Sequence, residues 1–284
     1  MKVHGRAVAV CVAAACSLVL AWTPAAAQAV LWLKPPLVPE VSWRGMLSTE
    51  GTGVGGGPQL LYPAPGVVGL LAAIFTHAAI SQSVQSSQRK AEQEAADRVL
   101  EPYRDALRNW TAADLWDAAV PAAPPGLKLQ RWDPAANPQP AVDVVPVFTL
   151  SQDEGVLLAD VAIKHGAAAA SGAAEVLVRV VSSPHAAADA RSHWSADESR
   201  RLKDAAARML AHAIELAERH PATAASDAPM RTHRYLQGGS ERSERAQLLA
   251  GDCARAVLRT LRGGLLSVPL RPPEGVACDK PVAF

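Results

Sequence analysis

An alternation of apolar and polar residues between positions 143 and 182 constrains the fold of this chain more than any other feature. Every second residue is apolar in two stretches, formed by Leu157, Ala159, Val161 and Ile163 and then by Val176, Val178 and Val180. Side chains on one face of a strand recur with a period of two, so the alternation predicts strands that each bury one face. The short links between them predict antiparallel pairing. Pro146 should lie at an edge or a bulge, because proline donates no hydrogen bond to a neighbouring strand.

Helical spacing of apolar residues occurs before and after this region. Residues 66–110 contain few helix breakers and predict a long N-terminal helix, which Pro102 should kink. Residues 196–219 predict a second helix with one apolar face. Ser195 and Glu198 have the spacing of a capping box, in which two side chains satisfy the free donors at a helix start.

A third helix is predicted near 240–261, ended by Gly263 and Gly264. Its apolar face would be formed by Ala246, Leu249, Cys253, Val257 and Leu261. Short runs at 127–132 and 230–236 indicate further strands. These elements predict an α+β protein with a long N-terminal helix, an antiparallel sheet of three to four strands, and two C-terminal helices packed on one face of the sheet.

Residues 1–27 have the three-part organisation of a secretory signal peptide. A short basic start precedes the apolar run Val8–Trp22, and small residues end at Ala27. We expect cleavage near Ala27 and a mature protein that is periplasmic or secreted. Two alternatives stay open. One is an uncleaved anchor, although the run is shorter than the ~20 residues of a spanning helix. The other is lipid attachment at Cys16.

The rest of the chain is predicted to be one domain preceded by an extended segment. Residues 28–65 are rich in proline and glycine, which favours extended chain without a packed core. Residues 66–284 then predict a single α+β domain with a proline-rich link at 118–141. The apolar stretch at 66–80 leaves membrane insertion open as an alternative to burial, but the flanking prolines and polar residues do not favour it.

Charge and cysteine usage narrow the class of protein. The formal net charge is +1 at pH 7, which argues against a strongly basic nucleic-acid-binding protein. Two of the four cysteines lie in the predicted signal peptide, so Cys253 and Cys278 remain. In an oxidising compartment, two remaining thiols predict one disulfide. Two unpaired buried thiols are the alternative.

No catalytic or metal-binding motif stands out in the sequence. His212 and Glu215 share a face of the second predicted helix, but His220 lies too far along for a zinc-binding His-Glu-x-x-His motif. Asp153 and Glu154 fall in a predicted hairpin turn, where carboxylates usually face water. The sequence therefore predicts no catalytic residue, no metal and no cofactor.

Arg255, Arg259 and Arg262 recur at helical spacing on the third predicted helix. A row of guanidinium groups can bind phosphates or carboxylates in bidentate fashion, so these residues are predicted to contact an anion or a partner protein. The alternative is a solvated face whose positive charges complement the C-terminal end of the helix dipole.

These features predict an exported envelope protein of bacterial type that binds or assists assembly without catalysis. Its partner would be an envelope protein or an anionic envelope component, and not a nucleic acid. Two alternatives stay open: an exported hydrolase whose site has no recognisable motif, and a membrane-attached structural protein that uses residues 66–80. A deep polar cleft would favour the hydrolase.

Overall fold

The computed structural model describes residues 30–36, 38–47, 83–165, 175–221, 228–237 and 240–270. In these residues ten strands form one mixed sheet. The strands are β1 Val30–Leu33, β2 Ser42–Gly45, β3 Lys128–Arg131, β4 Ala141–Leu150, β5 Leu157–His165, β6 Val176–Val181, β7 Arg231–Gln237, β8 Ser240–Gly251, β9 Arg255–Thr260 and β10 Leu265–Pro269. The predicted signal peptide and the apolar stretch at 66–80 lie outside the described residues. Among the helices of the described residues, none combines the length and the hydropathy that crossing a membrane requires.

The helices are short, with one exception. Their bounds are α1 Ser83–Ala96, α2 Arg104–Arg108, α3 Ala112–Ala119 and α4 Ala187–Arg219, with a 3-10 helix at Asp97–Tyr103 between α1 and α2. The prediction of one long N-terminal helix over 66–110 is wrong, because its described part consists of short pieces. Pro102 lies inside the 3-10 helix, where its ring and its missing N–H prevent a regular α-helix. Thr111 and Asp114 then start α3 with a capping box.

The sheet runs in the order β3-β1-β4-β5-β6-β10-β9-β8-β7, and β2 also pairs with β4. The predicted antiparallel pairing of β4, β5 and β6 is confirmed. The predicted size of three to four strands is wrong, because the sheet continues on both sides. β1 and β2, from the segment predicted as extended at 28–65, pair in parallel with β4, and β10 pairs in parallel with β6. Pro146 lies between the residues of β4 that pair with β1 and those that pair with β2, a gap that tolerates its missing N–H.

The main core lies between α4 and one face of the sheet. α4 packs against β5 and β6, and α3 packs against α4. The residues predicted to face the core do so, because this core contains Leu157, Ala159, Val161, Ile163, Val176, Val178 and Val180. The prediction that only one face is buried is wrong for β5, whose Leu158 and Ala162 are buried on the other face. Removing this apolar surface from water contributes roughly 25 cal/mol per Å² and holds the helix layer on the sheet.

A second core lies on the opposite face, toward the C-terminal strands. It is formed by Val156, Leu158, Val181, Tyr235, Ala246, Ala256, Leu258, Leu266 and Val268. β7 contacts β10 although β8 and β9 separate them in the sheet, so the sheet curls on itself here. As a result, β9 and β10 turn one face to α4 and the other face to the second core.

The predicted third helix near 240–261 is wrong, because these residues form β8 and β9. β8 pairs antiparallel with β7 on one side and with β9 on the other. Its glutamate, arginine and alanine residues favour helix intrinsically, and pairing on both sides overrides that preference. Gly263 and Gly264 form the turn between β9 and β10, with a φ of +82° at Gly263, rather than a helix end. Of the two predicted C-terminal helices, the described residues contain α4 and not the other.

α4 contains a left-handed turn where the sequence predicts a helix start. Asp197, Glu198 and Ser199 have φ angles of 53°, 56° and 61°. This conformation costs L-amino acids roughly 1–2 kcal/mol per residue. The capping-box pattern that begins at Ser195 therefore marks the joint between two helical stretches of α4. The stretch after the joint corresponds to the helix predicted over 196–219.

Candidate functional site

A chain of buried polar side chains joins α4 to β9 and β10. Nδ1 of His212 lies 3.0 Å from Oε2 of Glu215, and Nε2 of His212 lies 3.1 Å from Oγ of Ser267. Arg255 donates from Nη1 to the same Ser267 hydroxyl at 3.1 Å. None of these four residues is more than 9 % exposed. Their mutual hydrogen bonds offset the cost of burying polar groups.

The secondary structure brings these residues together in a simple way. His212 and Glu215 are three residues apart on α4, so they share a face, as the sequence predicts. Ser267 alternates along β10 with Leu266 and Val268, which face the second core. Because side chains alternate across a strand, Ser267 faces α4.

Arg255 is buried, and both its side chain and its backbone form hydrogen bonds within the protein. Its Nη2 donates to the carbonyl of Val181 at 2.8 Å, and its backbone N–H donates to the side chain of Asp252 at 2.7 Å. Burial lowers the pKa of Arg255 to about 10, and the charge of Asp252 opposes that shift. The guanidinium thus ties β9 to β6 and β10 rather than facing an external anion.

Ser267, His212 and Glu215 have the connectivity of a serine hydrolase triad, in which a carboxylate orients a histidine beside a nucleophilic hydroxyl. Ser267, however, is 0 % exposed. β10 pairs with both β6 and β9 at this residue, so the backbone N–H groups there are engaged in the sheet and not directed at an oxyanion. In this structure the residues form a buried hydrogen-bonded network.

A cavity of about 530 Å³ lies beside this network, between α4, the loop at 122–125 and strands β8 and β9. We call it the α4 cavity. Its polar wall is formed by Arg208, His212, Glu215, Arg219 and His220. Its apolar wall includes Pro124, Pro125, Leu216, Ala250 and Val257.

The charged groups of the α4 cavity are unevenly paired. Arg219 forms an ion pair of 2.7 Å with Oε1 of Glu215, whose other oxygen faces His212. Arg208 forms no ion pair with any described residue. Burial lowers the pKa of His220, and two neighbouring arginines lower it further against the opposing charge of Glu215. The sum of these effects favours the neutral form of the His220 imidazole.

The three arginines predicted to contact an anion do not form a stripe. Arg255 and Arg259 lie on β9 and both are buried against α4. Nη2 of Arg259 donates to the backbone carbonyls of His220 and Pro221 at 3.3 and 3.2 Å, which satisfies the C-terminal end of α4. Arg262 lies in the exposed turn between β9 and β10. The prediction placed the three arginines on one face of a helix, but residues 255–260 form a strand, so the arginines do not share that face.

Asp153 and Glu154, in the turn between β4 and β5, were both predicted to face water, but only Asp153 does so. Asp153 is exposed, whereas Glu154 is only 5 % exposed. Tyr103 donates its hydroxyl to Oε2 of Glu154, and Arg191 donates to Oε1 at 2.6 and 2.9 Å. Nε1 of Trp194 donates to the backbone carbonyl of Glu154 at 2.6 Å. Burial, reinforced by the Glu154 carboxylate, raises the pKa of Tyr103 well above its ordinary value. The turn is thus an anchor for α4.

A second concavity of about 560 Å³ lies between β2, the 3-10 helix and α2. Trp43 and Trp110 form its aromatic wall, with ring centroids 6.0 Å apart, and Trp43 stacks on Phe148 at 4.9 Å. Its two arginines form ion pairs with neighbouring acidic residues, and the carboxylate of Asp97 accepts the N–H of Gly45 at 2.8 Å. The two concavities are similar in size. The α4 cavity is the better candidate site because its Arg208 has no ion pair among the described residues and is therefore available to bind a charged ligand.

His212, Glu215 and His220 line one cavity but do not assemble a metal site. Among the described residues, no group of three or more histidine, cysteine or acidic side chains has the geometry to hold a metal ion. Cys253 lies in the turn between β8 and β9 and not on a helix face. Cys278 lies outside the described residues, so its disulfide with Cys253 stays a prediction.

The fold and the α4 cavity define a sheet-rich protein of mixed α and β structure with a charged, partly apolar cavity. No protein-family model matches the chain, and comparisons with curated proteins and with solved structures returned no match. Function must therefore be inferred from the geometry of the site. Sequence reasoning missed Ser267 and Arg208. The one available signal was Ser267 itself, a polar residue inside the apolar run LLSVP.

Proposed function

We propose that this protein acts by binding a small, partly apolar molecule in the α4 cavity, as an exported, non-enzymatic accessory protein of the bacterial envelope. The observation that carries the proposal is the cavity itself, with about 530 Å³ of space, proline and aliphatic walls, and a few charged groups. A concave site of this size with mainly apolar walls and few placed polar groups is typical of small-molecule binding.

The buried network supports binding because it gives the cavity a rigid wall. His212 and Glu215 belong both to the network and to the cavity wall. The hydroxyl of Ser267 contacts His212 and also accepts a hydrogen bond from Arg255, which fixes the position of the His212 ring. A wall that is already in place loses little conformational freedom when a ligand binds, which favours affinity.

Filling the cavity tests the proposal. Ala250 is an exposed residue of β8 that lines the cavity, so Ala250→Trp occupies the space without adding volume to the core. Ser243→Trp places the same side chain at an exposed position of the same strand outside the cavity. Each protein is incubated with a small-molecule extract of bacterial cells and analysed by native mass spectrometry.

We expect the wild type and Ser243→Trp to retain the same bound mass and Ala250→Trp to lose it. Circular dichroism confirms beforehand that all three proteins are folded. A bound mass retained equally by the three proteins, or no bound mass on the wild type, contradicts the proposal.

Hydrolysis is a second candidate, favoured by one observation: His212 lies within hydrogen-bond distance of both Ser267 and Glu215. A fluorophosphonate probe separates the two functions, because it labels a reactive serine. Labelling of the wild type that disappears in Ser267→Ala would favour the hydrolase. On the binding proposal the wild type is not labelled. Ser267→Ala instead loses about 1–3 kcal/mol of stability, because Arg255 and His212 lose a buried partner.

Export and the disulfide between Cys253 and Cys278 belong to the same proposal. The apolar run that ends before Ala27 motivates export, and an oxidising compartment favours pairing of the two remaining thiols. Mass spectrometry of the mature N-terminus tests cleavage near Ala27, and peptide mapping without reduction tests the disulfide. A cytoplasmic protein that still begins at Met1, or free thiols at both cysteines after unfolding, contradicts the respective expectation.

A further inference from the structure

We infer that the ligand of the α4 cavity is an organic acid, a single carboxylate on an elongated apolar body, and that Arg208 is the partner of the carboxylate. This inference rests on the proposed function, because it names the ligand class of the same cavity. Three observations carry it: the charge of the cavity wall, the partners of its cations and the spacing of those cations along α4.

Among the arginine and acidic side chains that line the α4 cavity, cations outnumber anions by one. Arg208 and Arg219 are cations, and Glu215 is the anion of the wall. One carboxylate balances this surplus. A phosphate monoester, with a charge of about −1.5 to −2 near neutral pH, would reverse it, and a neutral ligand would leave it uncompensated.

Arg208 is the cation that a ligand can reach without breaking an existing ion pair. Arg219 is already paired with Glu215 at 2.7 Å, and the same carboxylate also faces His212 at 3.0 Å. Arg208 is exposed and has no ion pair among the described residues. Its planar guanidinium fits a carboxylate in bidentate fashion, which a compact ammonium group does not.

The separation of Arg208 and Arg219 along α4 favours an elongated ligand. Arg208 and Arg219 are separated by three turns of the helical stretch that follows the left-handed turn. This separation is about 16 Å at about 1.5 Å per residue. Leu216, Val257 and the prolines at 124–125 form the apolar wall of the same cavity. A carboxylate held at Arg208 can therefore extend its apolar body along the cavity toward Arg219.

Three probes with the same alkyl chain and different head groups test the inference: decanoate, decanol and decylamine. Isothermal titration calorimetry, below the concentration at which each probe aggregates, gives the dissociation constants for wild type, Arg208→Met and Arg200→Met. Methionine keeps an apolar side chain and removes the charge. Arg200 is an exposed arginine of α4 outside the cavity wall, so it is the matched control.

We expect wild type and Arg200→Met to bind decanoate at least about tenfold more tightly than the other two probes. Arg208→Met should lose roughly tenfold to a hundredfold in affinity for decanoate, the range of a charged hydrogen bond, and keep its affinity for decanol. Decanoate binding should disappear in Ala250→Trp.

The contrary outcomes separate this inference from the proposed function. If decanol binds the wild type as tightly as decanoate does, or Arg208→Met binds decanoate unchanged, the organic-acid inference is overturned while binding in the cavity stands. If no probe binds but the extract yields a mass that Ala250→Trp loses, the ligand class is wrong and the function stands. If that mass is also missing, both are overturned.

Discussion

The α-carbon of Gly45 lies directly against the backbone of Ala96, so that a Cβ added to Gly45 would come within 1.9 Å of the Ala96 carbonyl oxygen. Gly45 ends β2 and Ala96 ends α1, and the N–H of Gly45 donates to the side chain of Asp97 at 2.8 Å. This approach docks the helical segment on the edge of the sheet.

Gly45→Ala should therefore lower the free energy of unfolding by about 1–3 kcal/mol or more, the cost of overpacking against a backbone that cannot move aside. Gly264→Ala is the matched control, because a Cβ there would meet its nearest atom at 3.5 Å, an ordinary contact. Denaturant unfolding of both variants gives the difference. Equal stability of the two variants would contradict the close approach at Gly45.

The left-handed turn in α4 predicts a stabilising substitution. Glu198 is exposed and has a φ of 56°, a conformation that glycine adopts without the steric penalty of a side chain. We expect Glu198→Gly to raise the free energy of unfolding by about 1 kcal/mol. Asp204→Gly removes the same charge from an exposed, regular part of α4 and should lower stability by roughly a few tenths of a kcal/mol. Thermal unfolding measures both, and a loss of stability in both variants would argue against the left-handed turn.

The hydroxyl of Tyr103 satisfies one oxygen of the buried Glu154 carboxylate. Tyr103→Phe removes this donor and should lower the free energy of unfolding by about 1–3 kcal/mol, the cost of leaving a buried acceptor without its partner. Tyr235 is the control, because it is also buried but its hydroxyl has no hydrogen bond to a described residue. We expect Tyr235→Phe to change the denaturation midpoint little. A Tyr103→Phe variant as stable as the control would mean that Arg191 alone satisfies Glu154.

A stacked histidine pair beside α4 predicts a loss of stability in acid. The rings of His185 and His193 lie 3.9 Å apart, and Trp194 meets both edge-on. Burial lowers the pKa of both histidines, and the positive charges of His185, Arg201 and Arg208 lower that of His193 further. A histidine with a lowered folded pKa binds fewer protons in the folded state than in the unfolded state. The free energy of unfolding should therefore fall as the pH drops through about 6.5 toward 5.

His185→Phe keeps an aromatic ring in the stack and removes one titrating group, so its stability should fall less steeply between pH 7 and pH 5 than that of the wild type. His233→Phe, on β7, is the control and should keep the steep dependence. Burial raises the pKa of Glu218, which gives a slope of opposite sign in part of this range. The comparison is therefore between the slopes of the variants. Parallel curves for wild type and His185→Phe would exclude the pair as the cause.

Local sequence was sufficient to predict which side chains of a single element share a face. The alternation over Leu157–Ile163 predicts a strand and also names the side chains that face α4, because a period of two is a local property of extended chain. The same reasoning predicts that His212 and Glu215 share a helix face, which they do at 3.0 Å. Both inferences need only the geometry of a single element.

Local sequence was not sufficient at 240–261. The apolar residues of this segment match a helical period, and its composition favours helix. The segment nevertheless forms β8 and β9, because β7 and β10 offer pairing partners on both sides and the second core buries Ala246 and Leu258. A hydrogen-bonding partner supplied by a distant strand is invisible in a local window, so propensity and tertiary pairing disagree here.

Local periodicity was enough to predict the antiparallel strands at the centre of the sheet, their face toward α4 and the stretch of α4 that follows residue 199. The candidate site depends instead on tertiary contacts. His212 and Ser267 are 55 residues apart in the chain, and they meet because β10 inserts between β6 and β9 and turns Ser267 toward α4. The α4 cavity likewise exists only where α4, the loop at 122–125 and the curled strands β8 and β9 come together. Contacts of this kind depend on strand order and sheet curl, which arise from the packing of the whole chain and not from the periodicity of any one segment.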